Sequence, residues 1–194
     1  MSDSCTIIGS TPTNPNFLQP NKFQLSLARL PNVQYFCQTI IIPGISLGEA
    51  MYTNPLVDLY APGEKAIYDL LNVTFIVDED MKSWKEIHDW IRAMTFPERY
   101  EEYRELGNLN KYTRAKSNNQ PQYSDGQITL LTSANNPNIR FKFYDLFPVS
   151  LSSFVMSTTD TPENIITADV SFRYSYYDIV VGSWQIIFLW YTPN

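Results

Sequence analysis

Period-two alternation of apolar and polar residues returns repeatedly along this chain, and the clearest helical spacing lies in one stretch between those runs. Successive side chains of a strand point to opposite faces, so alternation of this kind marks strands with one face buried. Phe23, Leu25 and Leu27 alternate with Gln24 and Ser26. Val33, Tyr35, Cys37 and Thr39 continue a second run into Ile40, Ile41 and Ile42, which predicts two strands joined near Pro31-Asn32. From Leu70 to Val77 a further strand is expected, with Val73, Phe75 and Val77 on one face and Thr74 and Ile76 on the other. The last third adds Gln127 to Thr132, then Ile139, Phe141 and Phe143 between Arg140 and Lys142, and finally Val170, Phe172, Tyr174 and Tyr176. Asn135-Asn136-Pro137-Asn138 supplies the turn between the first two of these.

Between the strand runs, Lys82 to Met94 carries an apolar stripe of Trp84, Ile87, Trp90, Ile91 and Met94, with Lys85, Glu86, Asp89 and Arg92 directed elsewhere. Asp78-Glu79-Asp80 precedes it, placing carboxylates where a helix start has unpaired amides. A weaker helix is expected from Pro97 to Gly107, followed by an exposed polar connection from Asn108 to Asp125. Pro43-Gly44 ends the second strand run. The segment from there to Asp69 holds Pro55, Pro62 and Gly63 between short apolar groups, and a long hairpin accounts for it better than a structureless loop. At least six strands and one long helix follow. The expected fold is mainly β: two packed antiparallel sheets, as a β-sandwich or partly closed barrel, with one flanking α-helix and a long hairpin.

Apolar residues make up 44% of the 194 residues and aromatics 14%, enough for one substantial core and too many for a disordered chain. Residues 1–20 hold Pro12, Pro15 and Pro20 among Ser, Thr and Asn and read as an extended arm. Residues 21–180 read as the β domain and 181–194 as an apolar extension. With 20 acidic against 14 basic residues the formal charge is -6, which opposes tight nucleic-acid binding and suits a channel past which DNA slides without sticking. The N-terminus lacks a basic region followed by an apolar one, so no secretory signal is expected and synthesis in the cytoplasm is. No apolar run approaches the roughly 20 residues of a bilayer-spanning helix, and no membrane partner is expected.

Chemistry-bearing constellations are sparse. His88 is the sole histidine, which excludes motifs of two histidines on a metal. Cys5 and Cys37 form neither a disulfide framework nor a metal cluster, and Cys37 reads as a small buried hydrophobe. Neither a nucleophile elbow nor a phosphate-binding loop is expected. The neighbouring acids of Asp78-Glu79-Asp80 and Glu101-Glu102 do not face one another across a cleft, so capping and solvation explain them better than glycosidase chemistry. Tyr174, Tyr176 and Tyr177 leave a carbohydrate-binding β-sandwich module as the alternative of a different class. No catalytic, cofactor-binding or metal-binding residue is assigned, and no enzymatic activity is expected.

The order of segments carries the functional reading. An N-terminal arm leads to NKFQLSL, a strand ending in IIIPGIS, a long hairpin, a strand followed by a Trp-containing helix, and the terminal DLFPVSLSSF and DVSFRYSYYDI. Over roughly residues 21–180 this order resembles the tail tube proteins of contractile-tailed bacteriophages, related to the ring-forming hemolysin-coregulated protein of type VI secretion. The resemblance implies a structural virion protein whose subunits close into hexameric rings. Stacked rings would form a conduit for genomic DNA, which passes without specific binding, and tail sheath, baseplate and tape-measure proteins would be partners. It further implies that the segment from Ile45 to Tyr68 stacks on the adjacent ring, through Ile45, Tyr52, Leu56, Leu59, Tyr60 and Ile67, and that Met1 to Pro20 makes a second contact between rings. The polar stretch from Asn108 to Ser124 and the apolar run after Tyr177 depart from the family order. Trp184, Ile187, Phe188 and Trp190 are expected to dock that run on its own domain or a neighbour. A specialised ring, initiating the tube at the baseplate or terminating it near the neck, stands beside the repeating subunit.

Overall fold

The computed structural model describes residues 16–95, 101, 122–159 and 164–181. Its backbone is built around β1 (Phe23–Leu27), β2 (Cys37–Ile41), β5 (Leu71–Ile76), β6 (Ser124–Leu131), β7 (Pro137–Leu151), β8 (Thr167–Arg173) and β9 (Tyr176–Val181). These form one antiparallel sheet in the order β1-β6-β7-β8-β5-β2, with β9 also paired to β7. A second, two-stranded sheet is the hairpin of β3 (Ile45–Tyr52) and β4 (Leu59–Tyr68). The larger sheet does not close: among the described residues β1 pairs only with β6 and β2 only with β5.

Alternation places the core as expected. Leu71, Val73 and Phe75 of β5 are buried beside Ala168, Val170 and Phe172 of β8, to which β5 is paired. On the opposite face the same strands carry polar partners: the Thr74 hydroxyl donates to Asp169 at 2.6 Å and that of Ser171 to Asn72 at 2.7 Å. Leu25, Leu27, Ile128, Leu130 and Phe143 from β1, β6 and β7 complete the same core.

β7 bends to serve both halves of the sheet. Its first part, from Ile139 to Tyr144, lies along β9, whereas Phe147 to Leu151 lies along β8. At the bend Asp145 adopts φ 55, a left-handed conformation that aspartate tolerates better than most side chains. β8 and β9 turn the same corner at Ser175, whose amide donates to Tyr144 O at 3.0 Å. This corner corrects one expectation. Tyr176 does not continue the inward face of Val170, Phe172 and Tyr174; the turn reverses the alternation, leaving Tyr176 exposed and bringing Tyr177 against Phe143 at 5.6 Å.

A second correction concerns residues 31–35, which form a short helix α1 (Pro31–Tyr35) rather than part of a strand, so two helices flank the sheet among the described residues. Proline at a first helical turn loses no hydrogen bond, and Val33 is fully buried while Tyr35 points to solvent. Glu86 of α2 (Lys82–Thr95) fastens this helix, accepting from the Asn32 side chain at 2.6 Å and its amide at 3.2 Å. Burial raises the Glu86 carboxyl above its ordinary range despite those bonds.

α2 begins where the acids placed it. Asp78 accepts from the Ser83 amide at 2.8 Å, the Ser83 hydroxyl at 2.7 Å and the Lys82 amide at 3.1 Å. Its predicted stripe faces the core, with Ile87 and Trp90 buried and Trp84, Ile91 and Met94 packed at the margin. Trp90 lies 6.4 Å from Phe172, and its indole donates to Gln122 O at 3.2 Å. The Arg29 guanidinium lies over that indole at 4.9 Å, and burial lowers its pKa. The expected helix between Pro97 and Gly107 falls almost wholly outside the described residues.

Candidate assembly interface

The β3–β4 hairpin occupies the Ile45 to Tyr68 segment expected of it and buries almost nothing. All eight residues of β3 are exposed. Ile45, Tyr52, Leu56, Leu59, Tyr60 and Ile67 are all open to solvent, Leu56 at the tip being 93% exposed. Cross-strand partners share a face, so the register divides these six. Tyr52 lies beside Leu59 on one face, while Tyr60 lies beside Met51 on the other; Ile45 pairs with Tyr68 and Ile67 with Ser46. Leu47, Met51 and Val57 are equally exposed and belong to the same surface. The sequence shows them only as short apolar groups, and a ribbon apolar on both faces offers no rule for choosing among them.

Two glycines shape the ribbon. The register slips between Leu47 and Glu49, and there a Cβ on Gly63 would stand 2.5 Å from the Gly48 carbonyl oxygen. Only a bare backbone fits so close an approach. Ser46 completes the letters G-x-S-x-G in Gly44-Ile45-Ser46-Leu47-Gly48, so the pattern of a nucleophile elbow is present after all. Its setting is wrong for that chemistry: Ser46 lies within a strand opposite Ile67, its hydroxyl donating to the Ile67 carbonyl at 3.4 Å, whereas an elbow turns from strand to helix.

At its root the ribbon is tied to the sheet by residues beside the corner of β8 and β9. Tyr174 donates to Asp69 O at 2.9 Å, Tyr177 to Pro43 O at 3.4 Å and Arg173 to Tyr68 O at 3.4 Å. The Tyr68 ring packs edge-on against Tyr174 at 5.9 Å and Tyr177 at 5.5 Å. Burial, reinforced by the neighbouring Tyr177 and Asp69, pushes the Tyr174 phenol up to about 12. These tyrosines therefore orient the hairpin instead of forming an open stacking platform. Tyr176 stacks on Tyr144 at 4.7 Å on the outer face.

The remaining sequence candidates are dispersed. His88 stacks on Trp84 at 5.2 Å with its ring beside Asp89. Cys37 is half-buried against the core, and burial raises its thiol to about 11. Among the described residues no group of three or more His, Cys, Asp or Glu could hold a metal ion, and no helix is long and apolar enough to cross a membrane. Trp184, Ile187, Phe188 and Trp190 lie outside the described residues.

An exposed apolar ribbon held rigidly at its root is a surface made for protein contact. Residues 11–180 match the family model described as phage tail tube protein. The chain belongs to that family. No curated protein sequence matches it. Among solved structures, the fold resembles a chain of the anti-feeding prophage cap, its tube terminating cap, with a TM-score of 0.53 at 16% identity over 91% of this chain and 99% of that one. A chain from the sheath-tube complex of an extracellular contractile injection system in the extended state gives 0.51 at 14% identity over 89% and 100%. One from the sheath/tube terminator of such a system gives 0.53 at 15% over 87% and 100%. At these identities the likeness is one of fold.

Proposed function

We propose that this chain builds the tube of a phage tail, closing into rings, hexameric by the family resemblance, that stack into the conduit through which genomic DNA leaves the virion. The observation that carries this reading is the exposed two-sided hairpin within a chain matched to the tail tube family over residues 11–180. A two-stranded ribbon is marginal alone in water, so one that exposes nearly every apolar side chain is built to be covered. Covering Leu56, Leu59 and Tyr60 on an adjacent ring supplies that cover, and the residue 1–20 arm gives a second contact. The edges of β1 and β2 that pair with no described strand are available to neighbours around the ring. The net charge of -6 supports passage of DNA without adhesion.

In this reading residues 21–180 are the ring-forming domain, and sheath, baseplate and tape-measure proteins are the partners in a particle assembled in the host cytoplasm. The role is structural and needs no catalysis. A specialised ring at baseplate or neck is the second reading, favoured by the apolar residues that continue past the family match at residue 180. The test is Leu56→Glu with Leu59→Glu. Folded chains that form rings but no longer stack support the assignment, whereas unchanged tubes overturn it.

A further inference from the structure

We propose that Met81, Val155, Met156 and Ile165, at the end of the sheet opposite the hairpin, form the seat on which the hairpin of a second copy docks. The proposal rests on the stacking reading above and names the surface that receives the hairpin. The strand ladders place the two surfaces at opposite ends. The hairpin leaves where β2 ends and β5 begins, beside the pair Ile41↔Asn72, with the Asp69 amide donating to Gly44 O at 3.1 Å. At the other end β5 finishes at Ile76 opposite Thr167, and the Val77 amide donates to Ile166 O at 2.9 Å. β7 and β8 part there after Ser152, whose amide donates to Asp169 O at 2.8 Å. Val155 and Met156 follow one strand of that pair and Ile165 precedes the other, so all three emerge at the same end. The start of α2 joins them: the Trp84 indole donates to Ser152 O at 3.4 Å, and its ring meets Phe154 edge-on at 5.9 Å. Val155 is 80% exposed, Met156 77%, Ile165 65% and Met81, just before α2, 38%.

Growth of a stack requires a seat distinct from the hairpin. Two hairpin surfaces meeting each other would join two rings face to face and stop, because an isologous contact closes on itself. A stack that grows needs a different, complementary surface at the far end of each chain. The hairpin exposes Met51, Leu56, Val57 and Leu59, so its complement must be apolar, and the end carrying Val155, Met156 and Ile165 meets that requirement. Two of the four seat residues are methionines, unbranched side chains that adapt to an inserted apolar group. Met81 also holds φ 54, a left-handed conformation that glycine or asparagine adopts at lower cost. What methionine adds at that position is exposed apolar surface. Exposed acids flank both surfaces, Asp58 at the hairpin and Glu79 near Met81, and repel across the contact. Apolar side chains therefore carry it, and added salt should lengthen the stacks by screening those acids; stacks that shorten in salt would contradict an apolar seat.

Mixing preformed rings of two full-chain variants tests the seat: Leu56→Glu with Leu59→Glu at the hairpin, and Val155→Glu with Met156→Glu at the opposite end. Each variant alone should form rings that do not stack. In the mixture, the intact hairpins of the second dock on the intact seats of the first, giving stacks that stop at a pair of rings under the electron microscope. Seat variants that stack as the unsubstituted chain does, or mixtures that stay single rings, overturn the seat while leaving the hairpin's role in stacking intact. Unimpaired stacking by the hairpin variant overturns the stacking reading itself, and the seat with it. Val155→Ser with Met156→Ser, which changes no charge at two exposed positions, is the second variant. It should shorten the stacks at an unchanged unfolding temperature, and stacks of full length would contradict the proposal.

Discussion

Asp145 accepts a hydrogen bond from the Ser175 hydroxyl at 3.1 Å across the corner where β7 passes from β9 to β8. The contact joins two bends 30 residues apart in sequence, one within β7 and the other between β8 and β9. Asp145 is held at φ 55, so the corner stores a local backbone cost that the paired strands on either side hold in place. Because Tyr174 and Tyr177 flank Ser175 and hold the hairpin root, the corner angle also sets where the hairpin points.

A side chain branched at Cβ cannot relax at this φ, whereas glycine can. Asp145→Val should therefore destabilise the fold by about 1–3 kcal/mol more than Asp145→Gly does. Chemical unfolding of the two variants checks the difference, and equal midpoints contradict a strained corner.

Tyr174 gives a pH signature. Its folded pKa of about 12 exceeds the ordinary value of 10.0, so the phenol is neutral in both states below pH 10 and ionises first in the unfolded chain above it. Stability should be intact below about pH 10 and fall as pH rises toward 12. Tyr174→Phe should cost ~1 kcal/mol at neutral pH, through the lost bond to Asp69 O, yet flatten the alkaline decline. An alkaline profile identical to that of the unsubstituted chain contradicts the assignment.

Asp78 acts in the opposite direction. Burial opposes its ionisation, but the bonds from the Ser83 hydroxyl and amide and the Lys82 amide together hold the carboxyl below its ordinary 3.8. The stabilisation it gives is present above that value and lost as pH falls through the lower folded pKa. Asp78→Ala should cost about 0.5–2 kcal/mol at neutral pH and less in acid, measured by thermal unfolding at several pH values.

Gly63→Ala forces a methyl group against the Gly48 carbonyl and should open the hairpin bulge while sparing the core, which lies elsewhere. The expected outcome is near-normal unfolding with impaired assembly, compared by sedimentation against the unsubstituted chain. Loss of global stability instead would mean that the hairpin is integral to the core.

The helix and the buried strand faces were legible because local pattern and tertiary burial agree there: Leu71, Val73 and Phe75 alternate in sequence and all three are buried. Pattern misled where a different force decided the backbone. Val33, Tyr35, Cys37 and Thr39 alternate as a strand would, but Pro31 starts a helical turn and Asn32 bonds to Glu86, far away in sequence. Tyr176 reads as the next inward residue after Tyr174, yet the bend at Ser175 depends on its long-range bond to Asp145. The hairpin was legible as a segment and not as a surface. Its side chains are sorted into faces by a bulge between Gly48 and Gly63 that no periodicity announces.

Electron microscopy of the purified chain across a concentration series, with mass determination on the same sample, tests the central claim most directly. Six-fold rings, stacking into open tubes as concentration rises, are the predicted result, and capped single rings would mark the specialised form. A uniform monomer at the highest concentration would contradict assembly of a tube by this chain.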